Sequence, residues 1–404
     1  MAQSSCEAIP IDALKTEETL PEVSVVMPCL NEEDTLDVCI EKTLAAFSKA
    51  GIAGEVIIAD NGSVDRSREI AEKRGARVID VAARGYGNAL MGGIEAARGR
   101  YVIMGDADDS YDFGAIPEFV KVLRTGASLV QGCRLPSGGG VVLPGAMPFL
   151  HRWWGNPMFS WLARRWFGAP IHDVYCGLRG FSRELYDRLD LRCTGMEFAT
   201  EMIIKASLYN EVIAEVPVTL SPDGRKTRPP HLRTFRDGWR TLRFFIMYSP
   251  KWLFIIPGLI LCALGAVGYA IALPGVTINH IHFDVHTLLF ASLAILCGYQ
   301  SLQFAVFTKT FAMSEHLIPR DERLLKLLRT VNLEVGLVVG AVALFGGIAL
   351  LVGAVNQWRA VDFGHLDYSH TMRWVIPGAT LTALGFQTVL ASFFLSILGM
   401  TRRG

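Results

Sequence analysis

The stretch YVIMGDADDSYD, residues 101–112, decides how this chain folds. Tyr101 to Met104 form a short apolar run of strand-favouring side chains, and the chain then turns acidic at Asp106, Asp108 and Asp109. A strand that ends in carboxylates sets oxygen ligands at a sheet margin. Such ligands suit Mg²⁺ or Mn²⁺ held together with substrate phosphates. Asp106 and Asp108 are two apart, so they point alike only while strand geometry persists; at a turn they can converge on one hard cation. A lone acidic pair is more often a solvated loop, so its neighbours must decide.

Working outward, the same kind of run recurs in VSVVMP (23–28), EVIIADN (55–61), ARVIDV (76–81), LVQGCR (129–134) and EVIAEVPV (211–218). Stretches of helical spacing, such as TLDVCIEKTLAAFSKA and SREIAEKRG, separate them. This alternation predicts an α/β fold, a mostly parallel sheet flanked by helices. Ligands of such sheets collect outside the carboxyl ends of the strands, and the polar motifs sit there. Pro28-Cys29-Leu30-Asn31-Glu32 ends the first strand and Asp60-Asn61-Gly62-Ser63-Val64-Asp65 the second. Arg84-Gly85-Tyr86-Gly87-Asn88-Ala89 follows the third and opens a helix, where glycines such as Gly85 permit close backbone approach to a ligand. G-x-G-x-x-G is missing, so a dinucleotide fingerprint is excluded.

The second half reads differently. The chain has 404 residues, 51% hydrophobic and 19% charged, and its charge-free runs are Trp252–Leu273, Thr287–Thr308, Val335–Val355 and Trp374–Thr401. Each is long enough to cross the hydrocarbon core, which takes about 20 helical residues. Four transmembrane helices are expected. Arg225 to Lys251 and Lys309 to Arg329 carry most of the loop Lys and Arg, which places those loops, both termini and the N-terminal half on the cytoplasmic side of a plasma or bacterial inner membrane. The expected division is a loose tail at 1–20, a cytosolic domain at 21–230, an interfacial helix at 231–250 and a membrane domain at 251–404. Arg233, Arg236, Arg240 and Arg243 recur at spacings of three and four, as on a helix lying among membrane lipid headgroups. Residues 1–20 are polar and acidic, unlike a secretory signal. Lys plus Arg equals Asp plus Glu at 39 each, so no net field attracts nucleic acid. Eight cysteines without a C-x-x-C pair argue against a disulfide framework or structural zinc. Gly336 and Gly340 form a G-x-x-x-G suited to close helix packing.

Taken in order, P-x-x-N-E, A-D-N-G-S-x-D, R-G-Y-G-N-A, G-D-A-D-D-S-Y-D, G-C-R, D-V-Y-C-G-L-R-G-F and G-M-E-F-A-T-E-M resemble the GT-A glycosyltransferases of family 2, and within them the polyprenyl-phosphate (dolichyl-phosphate) mannose and glucose synthases. The resemblance spans roughly residues 22 to 245. It implies a nucleotide-diphospho-sugar transferase domain followed by the membrane helices, a nucleotide-sugar donor, a polyprenyl phosphate acceptor and a homo-oligomer assembled through the membrane. By the resemblance, Pro28, Asn31, Glu32 and Asp60 contact the donor, and Asp106 and Asp108 hold Mg²⁺ or Mn²⁺ on its diphosphate. Ser110 stands where some members place a further metal contact and is a poorer ligand. Arg134 and Arg152 fall where related synthases bind the acceptor phosphate. Guanidinium forks match phosphate oxygens and offset the repulsion between two anionic reactants.

Arg179 either helps there or fixes its loop. Arg225 and Lys226 either close over the diphosphate or bind lipid headgroups. Asp173, and after it Glu201, are the carboxylates expected to orient the acceptor or take its last proton. D-A-D-D-S-Y-D-F resembles members described as glucose synthases, which favours UDP-glucose over GDP-mannose. Two rivals remain. A lipid hydroxyl acceptor would require a true general base. A processive polysaccharide synthase would carry Q-x-x-R-W, which is missing.

Overall fold

The computed structural model describes residues 20–225, 234–278, 280–315, 317–330 and 332–399. It divides into two compact units. The first contains the described residues up to Arg164 together with Ala169–Ala206 and the segment from Asn210; the second contains Arg165–Gly168, Ser207–Tyr209 and everything from Phe235. The main division falls between Thr234 and Phe235, with two short segments exchanged. All but Leu20 of the expected tail, and Lys226 with the other residues of 226–233, lie outside the described residues.

The first unit is built on β1 (Val23–Cys29), α1 (Leu36–Ala50), β2 (Gly54–Asp60), α2 (Ser67–Lys73), β3 (Arg77–Asp80), α3 (Tyr86–Ala96), β4 (Tyr101–Met104), α4 (Ile116–Arg124) and β5 (Leu129–Cys133). Val23, Val25, Val26 and Met27 are wholly buried, as a strand covered on both faces requires. α1 buries Leu36, Cys39, Ile40, Thr43 and Phe47 along one face, and stops at Gly51, whose φ of 61° lets its N–H cap the Phe47 and Ser48 carbonyls.

The sheet order is β3-β2-β1-β4, then Arg179–Ser182, β5 and Ile213–Pro217. β1 pairs in parallel with both β2 and β4, so the strand order reverses at β1, where a crevice opens beyond the strand ends. Arg179–Ser182 runs antiparallel between β4 and β5. This strand was not expected from its sequence. Arg-Gly-Phe-Ser has neither a β-branched run nor an alternating pattern, and Gly180 is admitted because Leu123 and Phe119 of α4 and Ile103 of β4 press on it. β4 ends at Met104, so Asp106 and Asp108 stand in a turn and not in a continuing strand.

Among the described residues, the second unit contains four helices long and apolar enough to cross a membrane: Lys251–Ala272, Val285–Ser314, Leu333–Ala360 and Tyr368–Leu398. Small residues let their backbones approach. A Cβ on Gly340 would lie 3.1 Å from the Gly385 carbonyl oxygen, and one on Gly336 2.1 Å from Ser392 Oγ. Tyr269 bonds Ser292 and Thr380, Tyr299 bonds Thr388, and Gln303 donates to the Gln387 carbonyl, which ties the helices together with few polar groups. The helix Thr234–Tyr248 precedes the first span; it exposes Arg236, Trp239, Arg243 and Met247 and buries Phe244 and Phe245.

Candidate active site at the strand ends

At the end of β2 the turn Asp60-Asn61-Gly62-Ser63 closes on itself. Fully buried Asp60 accepts the Ser63 N–H at 3.1 Å and faces Arg68 at 3.4 Å. Asn31, at φ 61°, accepts the Val64 N–H at 2.8 Å while its own N–H donates to Ser63 Oγ. Pro28 and Asn31 are thereby fixed beside Asp60 at the sheet margin. Asn61 carries the frame further, donating to the Val81 and Ala83 carbonyls and accepting the Gly85 N–H.

Gly85 itself takes a different partner from the one expected. At φ 137° its Cβ position would lie 2.4 Å from the Thr194 carbonyl oxygen, and that of Gly87 2.3 Å from the Cys193 oxygen. The close approach is made by the chain's own loop at 193–195, whose Thr194 carbonyl accepts the Gly87 N–H at 3.0 Å. Glu201 holds that loop. It is fully buried, accepts the N–H groups of Arg192 and Cys193 at 3.0 and 2.8 Å, and pairs with buried Lys205 at 3.0 Å. Its carboxylate is thereby tied to the loop and to Lys205.

Asp106 and Asp108 are held differently. Tyr86 Oη donates to Asp106 Oδ1 at 2.8 Å, and Ser110 donates to Asp108 Oδ1 through N–H at 3.1 Å and Oγ at 2.6 Å. Ser110 thus orients Asp108. Thr35 Oγ1 and the Gly224 N–H pin the carbonyls of Ala107 and Asp108. Burial, and then the neighbouring charge of Asp108, push the Asp106 carboxyl up to about 6, against the Tyr86 hydrogen bond. Two carboxylates this close, with oxygen donors alone, fit a hard divalent cation. No group of three or more His, Cys, Asp or Glu forms among the described residues, so the other ligands of an ion here would be water and phosphate.

Arg225 crosses the same margin. Its guanidinium grips Glu32 at 2.6 and 2.7 Å, reaches Asp223 at 2.8 Å and lies 3.7 Å from Asp108. Glu32 and Arg225 therefore neutralise each other, where Glu32 was expected to contact the donor and Arg225 either the diphosphate or lipid headgroups.

Beyond β5 lies a second charged group. Arg134 is almost fully buried and clamps Asp173 with Nε at 2.7 Å, Nη2 at 2.9 Å and its own N–H at 3.0 Å. Asp173, wholly buried, is the counter-ion of this arginine. Arg134 Nη1 reaches Tyr111 Oη at 3.4 Å; that oxygen accepts the Gly177 N–H at 2.8 Å, and a Cβ on Gly177 would lie 2.6 Å from Asp106 Oδ2. Tyr111 and Gly177 thus lie between the arginine and Asp106. Burial and the Arg134 charge depress the pKa of His151, which places that imidazole nearby. Arg152, on the π-turn His151–Gly155, lies 5.4 Å over the Trp153 ring, and its Nε is buried without a hydrogen-bond partner among the described residues. Arg179 is wholly buried and donates to the carbonyls of Ala199 and Cys176, so it fixes the loop. Tyr86, Tyr111 and His151 were not anticipated, although the first two lie inside the quoted motifs.

Residues 24–190 match the glycosyl transferase family 2 domain, and residues 306–399 match the glycosyltransferase family 2 C-terminal transmembrane region. The low-salt glycan biosynthesis hexosyltransferase Agl6 of Haloferax volcanii is 36% identical over 385 residues, covering 94% of this chain and 89% of its own. The chain belongs to glycosyltransferase family 2. This membrane glycosyltransferase is also 34% identical over 204 residues to a dolichyl-phosphate hexose transferase of Haloferax volcanii, covering 50% of this chain and 84% of that one. Among solved structures, glucosyl-3-phosphoglycerate synthase from Mycobacterium tuberculosis, in complex with Mn²⁺, UDP and glucosyl-3-phosphoglycerate, is similar at a TM-score of 0.43 and 23% identity, covering 61% of this chain and 85% of that one. The GT-A-like α/β domain followed by membrane helices is the architecture expected from the motifs.

Proposed function

We propose that this enzyme transfers a hexose from a nucleotide-sugar to polyprenyl phosphate at the cytoplasmic face of the membrane, with inversion at the anomeric carbon. The juxtaposition of a self-repelling carboxylate pair with a buried arginine, joined through Tyr111 and Gly177, carries this reading. The relative named as a dolichyl-phosphate hexose transferase supports the acceptor. The D-A-D-D-S-Y-D-F motif supports UDP-glucose ahead of GDP-mannose as the donor. Basic residues before the first span and between the second and third support the orientation.

Asp106 and Asp108 would hold Mg²⁺ or Mn²⁺, which supplies positive charge to the departing diphosphate. Pro28, Asn31 and Asp60 shape the donor end. Arg225, with Lys226 following it, reaches the diphosphate once the donor competes with Glu32 for its guanidinium. Arg134, fixed by Asp173, and Arg152 receive the acceptor phosphate and offset repulsion between the two anions. A phosphate monoester with a second pKa of about 6 needs no strong base near neutral pH. The occupied states of Asp173 and Glu201 agree with that, and disfavour a hydroxyl acceptor that depends on either.

The test incubates purified protein in nanodiscs with divalent metal, a panel of nucleotide-sugars, and either polyprenyl phosphate or polyprenol, followed by mass spectrometry of the lipids. A phosphate-linked product one hexose heavier is expected. Product from the alcohol alone would overturn the acceptor, and no glycolipid across the panel would overturn the reaction.

A further inference from the structure

Asp109 is a further carboxylate of the acidic turn, and the proposed transfer does not use it. Its backbone is left-handed, at φ 59°, a conformation that is costly for most side chains and that Asp and Asn tolerate. This step folds the chain back, which lets the N–H and Oγ of Ser110 reach Asp108 Oδ1 two residues earlier. Bonds fix the turn on either side of it. Thr35 Oγ1 donates to the Ala107 carbonyl at 2.6 Å, the Gly224 N–H to the Asp108 carbonyl at 3.0 Å and the Ser221 N–H to the Ser110 carbonyl at 2.9 Å. At Asp109 the hold is a side chain: Lys42 Nζ donates to its Oδ1 at 2.7 Å. Thr35, at the start of α1, and Lys42, inside it, lie two helical turns apart, so one face of α1 grips both Ala107 and Asp109. Both partners of the ion pair are partly exposed, and such a pair adds little to global stability. Its place matters more than its strength.

Taking Asp106 and Asp108 as the metal carboxylates, on which this rests, we propose that Lys42 is a positioning residue: by anchoring Asp109 in the left-handed conformation it keeps the acidic pair preset for its cation. With its carboxylate taken by Lys42, Asp109 serves the turn and is not a third ligand. The ammonium also neutralises Asp109, so a third negative charge does not add to the repulsion between Asp106 and Asp108. Without the anchor the turn relaxes, and ordering it again is a cost that falls on metal binding. The segment that carries Gly224 closes over the same turn from the other side, where a Cβ on Gly224 would lie 3.3 Å from Asp109 Cβ and 3.1 Å from Thr35 Cγ2. Asp109 is thus held between α1 and that segment.

The test measures Mn²⁺ binding to full-length protein in zwitterionic nanodiscs, without donor, from the electron paramagnetic resonance of the free ion. Asparagine tolerates the left-handed backbone and still accepts a hydrogen bond from Lys42, so Asp109→Asn is expected to stay within about twofold of the unaltered protein. Asp109→Ala loses both properties and should weaken binding by about tenfold. Adding Lys42→Met to Asp109→Asn removes the anchor with no charge left to free, and should weaken binding by about threefold relative to Asp109→Asn. Equal losses in Asp109→Asn and Asp109→Ala would assign the effect to charge and overturn the proposal. A double variant that binds like Asp109→Asn would overturn it too. Should Asp109→Ala melt early, the comparison of the double variant with Asp109→Asn decides. Asp108→Ala checks the premise. Unchanged Mn²⁺ binding there would remove the metal reading and the proposal together, whereas loss there with no change across the Asp109 and Lys42 variants would overturn the positioning role alone.

Discussion

Asp106 and Asp173 stand at the same sheet margin, yet the chain treats their charges in opposite ways. Asp173 accepts three hydrogen bonds from Arg134 and one from the Tyr175 N–H. Glu201 is likewise satisfied by two backbone N–H groups and Lys205. Asp106 instead faces another carboxylate and leans on a tyrosine hydroxyl. Buried carboxylates with their own cation hold loops in place. The acidic pair keeps unfavourable charge even with Arg225 3.7 Å from Asp108, because that guanidinium is shared with Glu32 and Asp223, and an incoming cation relieves it. Charge compensation, more than acidity or burial, separates the scaffold carboxylates from the proposed reaction centre.

The largest effect should come from the uncompensated pair. Asp108→Ala is expected to lower kcat/KM by about a thousandfold, the scale of losing a main electrostatic stabiliser, while the thermal midpoint of the metal-free protein stays level or rises. Steady-state kinetics beside a melting curve checks both. An inactive variant that also melts early would place Asp108 among the scaffold carboxylates. The compensated pair should behave inversely. Lys205→Met strands Glu201 in a buried setting and is expected to cost about 3–5 kcal/mol of stability, with any folded fraction keeping its metal affinity. Denaturant titration and Mn²⁺ binding measured on the same sample separate the two properties.

A pH series sharpens the contrast at intermediate scale. The Asp106 carboxyl titrates near 6 in the fold, against the ordinary 3.8. A carboxyl raised on folding contributes stability that is complete below about pH 4 and is lost as pH rises through about 6. Metal-free protein should therefore be more stable at pH 5 than at pH 7 by about 1–3 kcal/mol, and Asp106→Asn should remove most of that difference. An unchanged pH dependence in the variant would assign the titration to another group.

How much of this was readable beforehand follows from what each feature depends on. The Val- and Ile-rich strands, the four spans and the acidic turn are local in sequence and carry their own signal. The strand Arg179–Ser182 was hidden because its place depends on α4 and β4 packing around Gly180. Gly85 was anticipated as permissive, but whether a ligand or Thr194 approaches it is decided more than a hundred residues away. Glu201 and Lys205, four apart on one helix, advertised a local ion pair that an expected catalytic role masked. Asp173 was legible as important and not as a counter-ion, since its partner Arg134 is 39 positions distant.

The smallest predicted effect concerns the connection between the two regions. Tyr111 Oη accepts the Gly177 N–H and meets Arg134, while Gly177 backs against Asp106, so one hydroxyl touches both the compensated and the uncompensated charge. Tyr111→Phe preserves the ring in the core and removes only these polar contacts, each worth about 1 kcal/mol. The expected result is a rise in KM for the lipid phosphate of up to about tenfold, from looser placement of Arg134, with KM for the nucleotide-sugar nearly unchanged. If Tyr111 merely fills the core, both constants stay put. If it instead tunes Asp106, donor and metal dependence shift while the lipid constant does not, and the two regions would then be coupled through the acidic pair alone.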